Sequence, residues 1–328
     1  MGKALYDAWP EGARRTWGAA AVALAVAGYL LSAFPLVIGI GIFTALHQAG
    51  SDADPAAALQ AATLTVLMPL LLAQFAVWTA MTLAWANLFE RRGLESLGLT
   101  LSAGAAARYL TGLALGVVLL VIIATLAGLL GDVEAAGGAM DLAAEATPAG
   151  LMEALTRPAA LSALGFAALV FLVQGGAEEV VFRGWLMSTL AARWGVRAAV
   201  ITSSAAFMLF HLHVFVSGLW FGIAALAGVG MMGLVFALLA LVTRTVWEAV
   251  AAHGAFNAAA VILPTAGLLA GDPNLDVTVA FAQVFESATG MAGPDAVSFG
   301  PETFAQALGA GIVAAVLAVW VVRRGARA

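Results

Sequence analysis

The chain has 328 residues, 63% of them hydrophobic and only 10% charged, with no cysteine and a formal net charge of −5. A soluble domain holds about 25% charged residues, so this composition belongs to a polytopic membrane protein. The missing cysteine excludes disulfides, Cys-ligated zinc or iron–sulfur centres and a thiol nucleophile.

Residues 1–17 carry mixed charge and are expected to form a cytoplasmic N-terminal tail. The apolar run behind them exceeds the roughly 7–15 residues of a signal-peptide core, so it is expected to stay as the first span. A span needs about 20 apolar residues. Eight such stretches occur, near 18–46, 60–89, 106–130, 159–177, 198–215, 218–242, 247–270 and 304–322. The expected fold is therefore all-α, a polytopic transmembrane bundle of about eight spans in one domain over 18–322, with a short cytoplasmic tail at 323–328. Small residues let helices approach closely in lipid, and GVGMMG at 228–233 is the clearest such face.

Loop charge predicts orientation, because Lys and Arg stay on the cytoplasmic side. Lys3, Arg14, Arg15, Arg91, Arg92, Arg108, Arg193, Arg197, Arg244, Arg323, Arg324 and Arg327 fall on one set of alternate connections. The acidic residues of 131–157 and 271–303 fall on the other set, with Arg157 as the exception. Eight spans preserve this alternation and place both termini in the cytoplasm, as expected for a multi-pass protein of the cytoplasmic (inner) membrane. The two acidic loops are expected as either short interfacial helices or flexible covers.

Three polar groupings interrupt the apolar spans. In QGGAEEVVFRG (174–184), Glu179 and Arg183 are four apart and share a helix face, while Glu178 is rotated by about 100° and is expected to point elsewhere. In FMLFH, His211 lies one turn after Phe207; His213 is expected to face nearly the opposite way and is left out of the site. In HGAFN, His253 and Asn257 stack four apart on one face. Trp247 reads as an interfacial anchor, and Glu248 is expected to meet water. Ionisable groups at membrane depth are costly and mark function by default.

One chemistry unites them. Glu178 and His211 would orient and deprotonate a water, and His253 and Asn257 would donate hydrogen bonds to the oxyanion formed at a peptide carbonyl. A second reading makes Glu178, His211 and His253 ligands of a divalent metal such as zinc, which would acidify the water instead. Residue types and spacing leave both open. At about 1.5 Å per residue, His253 lies roughly 10 Å inside the boundary and His211 roughly 20 Å, which predicts a cytoplasm-facing cavity and a protruding helix over 185–200.

The three motifs, in this order, resemble those of the CPBP family, the CAAX protease and bacteriocin-processing or abortive-infection family. EExxxR is matched by Glu178, Glu179 and Arg183, FxxxH by Phe207 and His211, and HxxxN by His253 and Asn257. LESLGLT at 94–100 is similar as well. The resemblance implies an intramembrane endopeptidase with its catalytic core at about 159–270. Glu178 would be the base, His211 its assistant and His253 with Asn257 the oxyanion hole, supported by Glu179, Arg183 and Phe207. The implied partners are the lipid bilayer and a membrane-associated or lipid-modified peptide or protein, with no nucleic acid. Some relatives act as membrane scaffolds or in bacteriocin self-immunity, a non-catalytic alternative on the same fold.

Overall fold

The computed structural model describes residues 5–6, 9–50, 54–130, 148–272, 274–289 and 301–325. The described residues are helical throughout their ordered elements. They form α1 (Gly18–Ser32), α2 (Phe34–Gly50), α3 (Pro55–Ala61), α4 (Met68–Ala84), α5 (Ala105–Leu130), α6 (Pro148–Thr156) and α7 (Pro158–Glu179). After these come α8 (Met187–Trp194), α9 (Val196–Leu209), α10 (Leu219–Thr243), α11 (Trp247–Gly271), α12 (Val277–Thr289) and α13 (Ala305–Gly325).

Seven of the helical stretches are long and apolar enough to cross a membrane: Gly18–Gly50, Thr63–Phe89, Ala105–Leu130, Pro158–Trp194, Leu219–Thr243, Trp247–Gly271 and Ala305–Arg323. The eighth expected span, 198–215, is the short helix α9 instead. Its 14 residues cover only about 21 Å, against a hydrocarbon core of about 30 Å. It ends because His211 leaves helical backbone (φ −105°, ψ 20°) and Leu212–Ser217 continues as a 3₁₀ turn up to Gly218 at φ 105°. The fourth span compensates. It runs 37 residues, Pro158–Trp194, well beyond the 159–177 expected. The long α7–α8 arm and the short α9 form a hairpin about Gly195. Glu178 precedes that glycine by 17 residues and His211 follows it by 16, so both lie at the same depth.

A protruding helix over 185–200 beside a cavity was expected, but only the tip, 192–195 with Arg197, is exposed, and 180–190 is a buried stretch. The N-terminal segment folds back over it. Tyr6 is 3% exposed and donates its hydroxyl to the Arg183 carbonyl at 2.9 Å, while Arg244 donates to the Tyr6 carbonyl at 3.1 Å. Burial raises the Tyr6 pKa above that of an ordinary phenol, keeping the hydroxyl a donor. Its ring lies on Gly98 (φ +75°), where a Cβ would come within 3.0 Å of it. Beside it Arg92, expected as a surface charge, is buried. Its guanidinium pairs with Glu90 at 3.1 Å, donates to Ser188 and Thr189, and lies 3.8 Å from the Trp9 ring. Loss of hydration lowers its pKa to about 10, against the opposing charge of Glu90. Trp185 also donates to Glu90, tying the 90–97 turn to the α7–α8 arm.

The two acidic connections contain helices where described, α6 and α12; residues 131–147 and 290–300 lie outside the described set. The amphipathic α12 buries Phe281 and Phe285, the latter beside Phe171 of α7 at 6.4 Å.

The helix α11 runs between α5 and α7. The tightest approaches of a glycine to neighbouring backbone are there rather than at 228–233. A Cβ on Gly112 or Gly116 of α5 would lie 2.5 and 2.3 Å from the Glu248 and Ala252 carbonyl oxygens, and one on Gly175 of α7 would lie 2.6 Å from the Gly254 nitrogen. Gly228, Gly230 and Gly233 meet mainly side chains, which can yield. Gly116→Ala is therefore expected to destabilise the protein by about 1–3 kcal/mol, lowering its thermal midpoint in detergent. Gly41→Ala, with nothing within 4 Å of its Cβ, should leave the midpoint unchanged or raise it.

Candidate active site

The polar centre is built where α7, α9, α10 and α11 meet. The α-helical bonding of α7 ends at Glu179 and gives way to a π-helical segment, Val180–Leu186, of the kind found mostly at functional sites. Arg183 lies within it, completely buried. Its Nη1 donates to Glu179 Oε1 at 2.8 Å and its Nη2 to the Gly233 carbonyl of α10 at 2.7 Å. The guanidinium also lies 4.4 Å from the Phe207 ring centre. The expected four-apart pair is thus present, and it is anchored to a neighbouring helix.

Glu178 does not point away from it. The close crossing at Gly175 and Gly254 lays His253 across both adjacent carboxylates, so that their different directions straddle one imidazole. His253 Nδ1 lies 2.9 Å from Glu179 Oε1, and His253 Nε2 lies 3.7 Å from Glu178 Oε2. Phe236 stacks on the imidazole at 4.7 Å and Phe207 meets it edge-on at 5.6 Å. A carboxylate has no hydrogen to give, so Nδ1 carries the proton toward Glu179. Nε2 and Glu178 Oε2 then face each other as two acceptors unless a proton or a water lies between them. Two carboxylates, one guanidinium and one imidazole are electroneutral when a single proton is held on Glu178 or His253.

Asn257 reaches Glu178 indirectly. Its Nδ2 donates to Gln174 Oε1 at 2.9 Å, and Gln174 Nε2 donates to Glu178 Oε1 at 2.8 Å. Gln174 was not singled out from the sequence, although its position four residues before Glu178 is the same helical signal that picked out Glu179 and Arg183. Glu178 Oε2 and Glu179 Oε2 are both buried without a hydrogen-bond partner in the protein.

His211 sits one turn after Phe207, as expected, with its ring against the Phe207 ring at 4.8 Å. Its Nδ1 is 2.9 Å from the Phe207 carbonyl. A carbonyl only accepts, so Nδ1 carries the hydrogen and Nε2 keeps its lone pair. His213 is not on the opposite side: the chain leaves the α-helix after Phe210, and the two imidazoles lie 5.8 Å apart. One peripheral reading also changes: Glu248 is 5% exposed and pairs with Arg108 at 3.0 Å. Trp247 beside it is half-buried and donates to the Thr100 carbonyl.

The metal reading does not fit this geometry. Among the described residues no three His, Asp or Glu side chains converge as a ligand set. Both ring nitrogens of His253 face carboxylates rather than an open position. A groove of about 530 Å³ between α1 and the end of α4, lined by Arg15, Trp17, Leu24, Trp85 and Phe89, lies elsewhere and holds no acid–base pair.

A bundle of apolar helices around buried carboxylates, an arginine and imidazoles defines a polytopic membrane protein with a reactive polar core. Residues 160–259, the stretch from the start of α7 to just past Asn257, match the family model described as type II CAAX prenyl endopeptidase Rce1-like. The matched stretch contains Glu178, Glu179, Arg183, Phe207, His211, His253 and Asn257. No curated protein and no solved structure matches the chain.

Arg183 is the only positive side chain bonded to Glu179 among the described residues, apart from a protonated His253. Arg183→Met is expected to cost about 3–5 kcal/mol by leaving a buried carboxylate uncompensated. Glu179→Gln combined with Arg183→Met should recover part of that loss in thermal unfolding.

Proposed function

We propose that the protein is a glutamate-dependent intramembrane endopeptidase that hydrolyses a peptide bond of a membrane-associated or lipid-modified substrate. The observation that carries this reading is Glu178 Oε2, a buried acceptor without a hydrogen bond, 3.7 Å from His253 Nε2. An unpaired carboxylate oxygen at that depth is a strong site for a water.

A water bonded to Glu178 Oε2, with the His211 Nε2 lone pair as its second acceptor, attacks the peptide carbonyl carbon. Its oxygen forms the new C–O bond as its proton passes to Glu178. The carbonyl oxygen becomes an oxyanion, for which a protonated His253 Nε2 and the second N–H of the Asn257 amide are the available donors. Collapse breaks the C–N bond and the proton on Glu178 goes to the leaving nitrogen, giving a carboxylic acid and an amine. Glu179 and Arg183 fix His253 through Nδ1, and Gln174 fixes the other oxygen of Glu178.

The domain proposed for this chemistry is the single helical unit 18–322, its catalytic core at about 159–270. The side bearing Arg14, Arg15, Arg91 and Arg193 is assigned to the cytoplasm by the charge rule.

A quenched-fluorescent peptide with a prenylated cysteine near its C-terminus, held in micelles, measures the activity. Glu178→Gln should lower its cleavage by at least about 10²-fold while leaving the thermal midpoint within a few degrees. Full cleavage by a folded Glu178→Gln protein would leave only a non-catalytic scaffold on this fold.

A further inference from the structure

A second polar cluster lies on helices outside residues 160–259 and meets the motif segments through ring contacts. Gln74 and Trp78 lie four apart on α4, one turn above the other, and each is 1% exposed. Gln74 Oε1 and Trp78 Nε1 have no partner in the protein. Leaving a buried donor and a buried acceptor unmade is costly, which is unexpected in a helix that is otherwise apolar. Tyr29 of α1 hydrogen-bonds Gln74 and lies within the field of Glu178.

An aromatic layer joins this wall to the motifs. Trp78 meets Tyr29 at 5.1 Å, Phe182 at 5.7 Å and Phe210 at 5.7 Å, and Tyr29 meets Phe210 at 5.2 Å. Phe182 stands in the π-helical segment after Glu179, and Phe210 immediately precedes His211.

We infer that Gln74 and Trp78, with Tyr29, form a subsite that binds the backbone of an extended peptide substrate beside Glu178. One residue of extended chain presents an N–H and a C=O along the same edge, as in a hydrogen-bonded antiparallel pair. Gln74 Oε1 accepts the N–H, and Trp78 Nε1 donates to the C=O. The chemistry recognised is the amide backbone, not a particular side chain. The aromatic layer excludes water from those bonds, which strengthens them. This subsite rests on the peptidase reading, but its test reads binding rather than turnover.

The experiment uses the full-length Glu178→Gln protein in micelles and the same prenylated peptide, with fluorescence anisotropy as readout. Gln74→Leu and Trp78→Phe should each weaken binding at least fivefold. Methylating the one peptide nitrogen that meets Gln74, found by scanning N-methyl positions, should weaken binding to the Gln74 protein and be silent with Gln74→Leu. A purely structural Gln74 would show no such dependence on peptide methylation. Equal affinity across the variants, methylation effects unchanged by Gln74→Leu, or no binding of the peptide by the Glu178→Gln protein would overturn the subsite. With Glu178 intact, Gln74→Leu should raise KM more than it lowers kcat. Turnover by Glu178→Gln protein would instead overturn the hydrolytic reading, leaving the binding result to stand or fall by itself.

Discussion

Everything in this molecule is arranged around holding two adjacent carboxylates between apolar helices. A carboxylate at membrane depth is tolerated only when paired and hydrogen-bonded. Glu179 meets that condition through Arg183 and His253, and Arg183 in turn needs the Gly233 carbonyl of α10. The network therefore ties α7, α10 and α11 together, and any helix that drifted would expose an unpaired charge. Glu178 is held differently. One oxygen accepts from Gln174 and the other faces His253 Nε2 at 3.7 Å, so the two neighbours divide into a carboxylate paired with arginine and one paired with a neutral amide.

That division depends on backbone contact. Imidazole reaches both carboxylates only because α7 and α11 cross where Gly175 and Gly254 bring the chains together. The π-helical segment that follows places Arg183 in the same cluster, and its carbonyl is capped by the Tyr6 hydroxyl from the other end of the sequence. Arg92 performs a comparable service one layer out, binding the 90–97 turn to Ser188 and Thr189. Two buried arginines thus brace the α7–α8 arm at successive levels. Arg183 meets a buried carboxylate and a backbone carbonyl, and Arg92 meets a buried carboxylate, the Ser96 carbonyl and the hydroxyls of Ser96, Ser188 and Thr189.

Much of this was legible in the sequence. The apolar runs located the long helices, and spacing by four located Glu179 with Arg183, Phe207 with His211, and His253 with Asn257. What failed has physical causes. Hydropathy counted 198–215 as a span because apolar residues continue past Phe210, yet His211 ends the helix and Leu212–Ser217 tightens into a 3₁₀ turn. The same break defeated the placement of His213, since helical angles no longer apply beyond it. Glu178 was expected to diverge from Glu179 because Cα directions differ, but a long side chain and a bridging imidazole override that angle. Tyr6 carries no signal at all: its partner lies 177 residues away and is a backbone carbonyl.

The burial pattern along α7 and α11 also constrains how a peptide reaches Glu178. Toward Arg183 the core is closed, with Glu179, Arg183 and Tyr6 each 3% exposed or less. Toward Gln174 and Asn257 the side chains are only half-buried, and His211 is likewise half-buried. A peptide approaching from the sealed end would have to displace Tyr6 and break the Glu179–Arg183 pair. One approaching past Gln174, Asn257 and His211 disturbs only neutral groups whose hydrogen bonds it can replace with its own amides. The α1 and α4 wall, with its free acceptor and free donor, borders Glu178 and His211 through Tyr29, Phe182 and Phe210.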